Sequence, residues 1–324
     1  MIARHAAQVL ALCRPGRVGM MANVGNLLVC GFALVGCGTS GSTPEVVAGD
    51  DANTSDGSSP LVDSAVGDGM TVDGRPIDGP PGGPGPGPSA GCLNGMSFAG
   101  PAGVQGAPGL GAHGMSYCKY MSDLPPSLST SAMTTQSSGS VIVIGIGRGD
   151  NSKFATPSDS HGNAPYEPVG EMRPYAHPWE NSGTALYSFV SAAGGAGFYV
   201  TTATRPDDVQ DEITMSAVEI VGAKRIQAYA WNQPDERVPI TSESVTTTGA
   251  ATLIAFWWGG GFPGTPQTAT PNNGFVVIES NAYETGSFVQ SVVAVKNVAR
   301  AGTYDVTWAS TPAQGAQLWL LAVE

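Results

Sequence analysis

The stretch GTYDVTW, residues 302–308, alternates strictly. Tyr304, Val306 and Trp308 fall on one face of an extended chain, and Thr303, Asp305 and Thr307 on the other. A side-chain period of two, with one apolar and one polar face, describes a half-buried strand. The texture continues along the chain. SVIVIGIG (140–147), TALYSFV (184–190), GFYVTTAT (197–204), EITMSAVEIV (212–221), RIQAYAW (225–231), ATLIAFWW (251–258), GFVVIES (274–280), SFVQSVVAVKNV (287–298) and AQLWLLAVE (316–324) are dominated by β-branched and aromatic residues. Such residues fit a pleated surface. Gly, Pro, Asn and Asp punctuate the runs, and none carries a helical stripe. Ten or so strands over residues 138–324 predict an all-β fold, an antiparallel β-sandwich of jelly-roll-like type. Residues 141–146 and 318–323 are apolar on both faces, which places them mid-sheet or under a cover. These first and last strands are expected to pair.

Composition sets the remaining bounds. The chain has 324 residues, with 45 Gly, 25 Pro, 12% charged residues and a formal net charge of -12. Phosphate backbones are held by Lys and Arg, so this acidity argues against a nucleic-acid partner. It also opposes adsorption to anionic lipid, and leaves a covalent or apolar anchor as the route to a membrane.

Such an anchor is written near the start. Residues 1–25 carry Arg4, Arg14 and Arg17 and no acid, and an apolar run LLVCGFALVG (27–36) follows. A basic start, about ten apolar residues and a small-residue exit are the layout of a secretory signal. A bilayer span needs about 20 residues. The competing reading, a membrane helix over 18–36, is interrupted by Asn23 and Asn26 and weakened by Gly25, Gly31 and Gly36. The exit Leu34-Val35-Gly36-Cys37 resembles the lipobox of bacterial lipoproteins. That resemblance implies cleavage after residue 36, a lipidated Cys37 as the membrane partner, and, with Gly38 next, an outer-membrane address in the cell envelope.

Residues 37–91 continue as a linker of Gly, Ser, Thr, Pro, Asp and Ala, with eight acids and the single base Arg75 between 38 and 91. With no apolar periodicity to bury, it is expected to be disordered and to act as a stalk. Its acids Asp63, Asp68, Asp73 and Asp78 recur every five residues, unlike the alternate-position ligands of a calcium loop. Residues 92–137 are expected to form a Gly-rich entry segment to the domain, a loop with few core-forming side chains. With Cys13 and Cys30 removed and Cys37 lipidated, Cys92 and Cys118 remain as an even pair, and an oxidising compartment favours their disulfide. Closing a loop of that length stabilises by roughly 3.5 kcal/mol in the chain-entropy picture.

The domain at 138–324 also resembles a family of secreted bacterial β-sandwich domains. The resemblance rests on Trp257-Trp258-Gly259, AGTYDVTW (301–308) and TPAQGAQLWLLAV (311–323). It implies the fold and no activity.

Two sets of residues are candidates for function. Trp179, Trp257 and Trp258, with nearby tyrosines, could present aromatic faces to a surface glycan or protein, although core packing is the commoner fate of tryptophan. Trp257 and Trp258 point to opposite faces of one strand, so one belongs to the core. The polar excursion 148–181 holds Asp150, Asp159, His161, Glu167, Glu171 and His177. His161 and His177 are weak metal candidates, and the carboxylates suggest, as the alternative, a glycan-active hydrolase. Asp159-Ser160-His161 has triad residue types without a G-x-S-x-G elbow. Arg148-Gly149-Asp150 is too short a match to an adhesion tripeptide to carry meaning. No cofactor motif is present, and none is expected. The best sequence reading is a lipoprotein with a non-catalytic head for surface binding or a structural role.

Overall fold

The computed structural model describes residues 89–149, 153–176, 180–207, 211–260 and 265–324. Among them the chain is all-β and contains no helix. Two large antiparallel sheets pack face to face. The first runs β1 (Cys92–Asn94), β3 (Gly109–Cys118), β13 (Ile213–Val221), β6 (Ser138–Arg148), β10 (Gly183–Ala193), β8 (Glu167–Pro168), with β9 (Arg173–Pro174) also on β10. The second runs β14 (Ile226–Asn232), β23 (Ala316–Val323), β17 (Ala251–Gly259), β20 (Ser291–Val298), β19 (Val276–Ser280), β2 (Met96–Ser97). Between them lies a core of Val141, Val143, Leu186, Val218 and Ile220 against Ile254, Phe256, Trp258, Val293, Trp319 and Leu321.

Neither outer face is left to water. Over the first sheet lie β4 (Ser127–Ser129), β12 (Val200–Ala203) and β7 (Ser158–Asp159), with the pair β5 (Met133–Thr134) and β11 (Ala196–Phe198). They enclose a second core in which Ile142, Ile144 and Ile146 meet Leu128, Phe198 and Val200. Over the second sheet lie β15 (Ile240–Thr241), β22 (Thr307–Thr311) and β18 (Thr268–Pro271), with the pair β16 (Val245–Thr247) and β21 (Gly302–Tyr304). There Leu253, Trp257, Leu318 and Leu320 meet Ile240, Val306 and Trp308. Four layers explain why the central strands are apolar on both sides: each face of each strand has its own core.

Three expectations are corrected. The strands at 141–146 and 318–323 do not pair. β6 bonds to β10 and β13, while β23 bonds to β14 and β17. They lie in different sheets, β6 packing on Phe256 and Trp258 of β17 and β23 bonding through Gln317 and Trp319 to Thr184 of β10, because double-sided apolarity marks a covered strand but names no neighbour. Residues 302–310 form two strands instead of one. The chain leaves β16 after Tyr304 and joins β15 from Thr307, with Val306 exchanging hydrogen bonds with Ser242 at the switch. The burial alternation survives, since Val306 and Trp308 are fully buried and Thr303 is exposed.

The Gly-rich lead-in is the third. Residues 92–137 supply β1 to β5, and β3 pairs with β13 along its length. At two positions the missing side chain is a packing requirement: a Cβ on Gly111 of β3 would fall on the carboxylate of Glu219, and one on Gly100 would fall on Leu110, so those two places need glycine. The expected disulfide is present and joins Cys92 to Cys118, which are directly opposed in β1 and β3. The lipobox, Cys37 and the linker lie outside the described residues.

Candidate functional site

The most exposed aromatic surface lies on β14, an edge strand. Ala228 and Ala230 turn toward the outer core of the second sheet, while Tyr229 and Trp231 share the opposite face. Both rings rest 6.4 Å from the buried indole of Trp319. Tyr229 still presents 47% of its surface. Its ring lies against Gly170, where a Cβ would come within 2.8 Å, and Gly170 has a φ of +75°. Glycine there satisfies both the left-handed backbone and the close approach. The Arg173 guanidinium sits 5.0 Å from the Trp231 ring centre, within cation–π range. Met172 beside it is also exposed.

A buried hydrogen-bond network fixes this ledge. Trp319 Nε1 donates to Thr184 Oγ1 at 2.9 Å, and Thr184 Oγ1 donates to Gln317 Oε1 at 2.5 Å. Gln317 Nε2 donates to the Arg173 carbonyl at 2.9 Å. The Tyr175 hydroxyl donates to the Trp258 carbonyl and accepts from Gln317 N. Burial pushes the Tyr175 phenol above its ordinary range, with the Gln317 bond opposing, so it is a neutral donor. The segment 170–175 is thereby locked to β23 and β17. The ledge is rigid, apolar at Tyr229 and cationic at Arg173. An aromatic face bordered by a fixed donor suits the apolar CH face and hydroxyls of a sugar ring.

The residues singled out from sequence fare differently. Trp257 and Trp258 are both fully buried, one in each core of the second sheet, and neither can stack on a ligand. The covering sheet at β22 removes the free face that one of them was expected to have. Trp179, His177 and Asp150 lie outside the described residues. Asp159 accepts from His161 N, Asn163 N, Asn163 Nδ2 and the Tyr166 hydroxyl, and so serves as the hub of a turn. Burial and that bond to Asp159 hold the Tyr166 phenol above its ordinary range.

Ser160 Oγ lies 3.1 Å from His161 Nδ1, but it also donates to the Gly197 carbonyl and accepts from Tyr199 N. Asp159 meets the backbone of His161 rather than its ring, so these three residues do not form a triad. Glu167 and Glu171 are exposed. No group of three His, Cys, Asp or Glu residues able to hold a metal ion occurs among the described residues. Arg148 is buried, paired with Asp207 at 3.5 Å and bonded to the Lys153 carbonyl.

Three acidic groups escaped the sequence reading. Glu219 accepts from Ala112 N, Gln136 N and Ser140 Oγ. Glu279 is fully buried and takes Ser97 Oγ at 2.6 Å and His113 Nδ1 at 2.7 Å, which ties the two large sheets together at one edge. Asp211 and Glu212 converge on Gly149, where a Cβ would lie 2.5 Å from Asp211 Oδ1 and 2.7 Å from Glu212 Cδ. Burial, then Asp211, holds the Glu212 carboxyl well above its ordinary 4.5. The run DDVQDE (207–212) was a visible signal for this pair. In RIQAYAW, the alternation of Tyr229 and Trp231 with alanine was the signal for the ledge. No family model, curated protein or solved structure matches the chain.

Proposed function

We propose that the chain is a cell-envelope lipoprotein, anchored through a lipidated Cys37 in the outer membrane, whose β-sandwich is a non-catalytic binding head. The observation that carries this reading is the Cys92–Cys118 disulfide of the head. A buried, sequence-local disulfide belongs to an oxidising compartment, which is where the Leu34-Val35-Gly36-Cys37 exit would send the chain. The residues between the anchor and the head serve as the stalk. The ledge of Tyr229, Trp231 and Arg173 is the binding surface, and a surface glycan is the ligand class that fits it.

Two measurements test this. Mass spectrometry of the full chain should find Cys37 as an acylated, diacylglyceryl-modified amino terminus, and Cys37→Ser should shift the protein out of the membrane fraction. An unmodified Cys37 with residues 1–36 still attached would end the lipoprotein reading. The full chain in detergent, applied to a glycan array, should bind a defined sugar class, and Tyr229→Ala should lose at least tenfold in affinity. Binding unchanged in Tyr229→Ala would remove the ledge as the site.

A further inference from the structure

The position of the disulfide has a mechanical consequence. Cys92 is the first strand residue among the described residues, and its root is a short turn: Cys92 N donates to the Ser89 carbonyl, and Ser89 Oγ donates to the Ser127 carbonyl at 2.7 Å. Beyond Cys92 the chain is weakly held. β1 has three residues and β2 has two, each at the edge of its sheet. Edge strands this short would peel away a few hydrogen bonds at a time. Cys118, by contrast, ends the ten-residue β3, which lies between β1 and β13 and pairs with β13 from Cys118↔Ile213 to Gly109↔Val221.

The chain just after Cys118 is tied to the connection between β19 and β20 of the second sheet. Lys119 Nζ donates to Glu284 Oε2 at 3.1 Å and to the Thr285 carbonyl at 2.6 Å, and Tyr120 N donates to the Ser287 carbonyl. Cys118, Ile213 and Arg148 share one end of the first sheet. Gly147, beside that end, packs on Trp258, whose neighbour in register is Gln317 near the start of β23. The C-terminal residue Glu324 therefore lies at the opposite end. A pull between Cys118 and Glu324 runs along the strands and loads their hydrogen bonds together instead of one after another.

We propose that the Cys92–Cys118 disulfide is a mechanical clamp: tension from the N-terminal chain crosses the S–S bond to Cys118 and continues into the chain from Lys119 onward, bypassing the closed loop that holds β1, β2 and β3. The proposal rests on the stalk reading only for the origin of the tension; the load path is a property of the fold. Residues 93–117 stay folded under load because no force crosses them.

The test is single-molecule stretching of the full chain, held by peptide handles ahead of residue 89 and after Glu324, with and without reductant. Forced rupture reports the unfolding barrier of the loaded elements. Oxidised protein should rupture in one high-force event. Reduced protein should first extend at low force as β1 and β2 peel away, the released loop adding at most about 90 Å, the reach of 26 residue steps at about 3.5 Å each. A Cys92→Ala/Cys118→Ala double variant should behave like reduced protein; if it fails to fold, reduction of an already folded, held molecule supplies the comparison. An oxidised chain that shows the same low-force extension, or the same first rupture force with and without reductant, overturns the clamp. Neither outcome depends on lipidation, which the mass of Cys37 tests separately.

Discussion

Gly147 on β6 and Trp258 on β17 meet across the central core: a Cβ on Gly147 would lie 2.8 Å from the indole Nε1 and 2.6 Å from Val289 Cγ1. One turn of the pleat earlier, a Cβ on Gly145 would lie 2.9 Å from Phe256 Cε1 and 3.0 Å from Trp258 Cη2. Phe256 and Trp258 are stacked, with ring centroids 5.1 Å apart. The glycines of SVIVIGIG are thus the slot that receives two aromatic rings. Gly145→Ala and Gly147→Ala should each destabilise by about 1–3 kcal/mol through overpacking. The midpoint of chemical denaturation measures this, and an unshifted midpoint would contradict the packing.

Thr184→Val should cost about 1–3 kcal/mol, because it leaves Trp319 Nε1 and Gln317 Oε1 buried without their shared partner. The substitution keeps the shape of the side chain, so the loss reports hydrogen bonding rather than volume. Equilibrium denaturation of the variant against the native chain gives the number.

The Asp211–Glu212 pair predicts a pH dependence with a definite sign. Glu212 has a folded-state pKa raised above its ordinary 4.5, so the fold holds a proton that the unfolded chain releases more readily. The stabilising contribution is complete below about pH 4.5 and declines as the pH rises through the folded value. Glu212→Gln keeps a neutral side chain at every pH. It should flatten this part of the profile and make the protein more stable than the native chain at neutral pH. Denaturation midpoints from pH 4 to 8 for both proteins decide it; parallel profiles would show that Glu212 is not the group responsible.

Deleting residues 317–324 should unfold the domain. This removes most of β23, which is bonded to β14 on one side and β17 on the other and contributes Leu318 and Leu320 to one core and Trp319 and Leu321 to another. A truncated protein that melts cooperatively at the native temperature would refute the assignment of β23 as a central strand.

Glu219→Ala should strand the donors Ala112 N, Gln136 N and Ser140 Oγ, at a cost of about 3 kcal/mol or more. Hydrogen exchange should quicken selectively at Ala112 and Gln136, which separates a lost local hub from a general loosening of the fold.

The all-β class and most strand positions were legible in the sequence, because a period of two in GTYDVTW and continuous apolarity in SVIVIGIG and AQLWLLAVE are local properties. The pairing of Cys92 with Cys118 followed from counting once the signal reading had set Cys13, Cys30 and Cys37 aside. The ledge was half legible: RIQAYAW shows two aromatic residues on one face, but whether that face is covered depends on which strand borders it. Trp257 and Trp258 misled for the same reason. Their opposite orientations were readable, whereas the sheet that buries the second face is built around β22 (Thr307–Thr311), about fifty residues further along the chain, with β15 and β18 on its two sides.

What the sequence by itself determined was the alternation of side chains, and with it extended structure, the number of faces to be buried and the residues able to bury them. The tertiary structure alone decided which faces meet. Hydrophobic burial is non-directional and nearly indifferent to the identity of the apolar neighbour, so β6 and β23 could have been partners in one sheet or members of two opposed sheets. That choice was made by features visible only in three dimensions: the glycine slot that admits Trp258, the Thr184–Gln317–Trp319 network, and the carboxyls of Glu219 and Glu279 that need their donors in particular places.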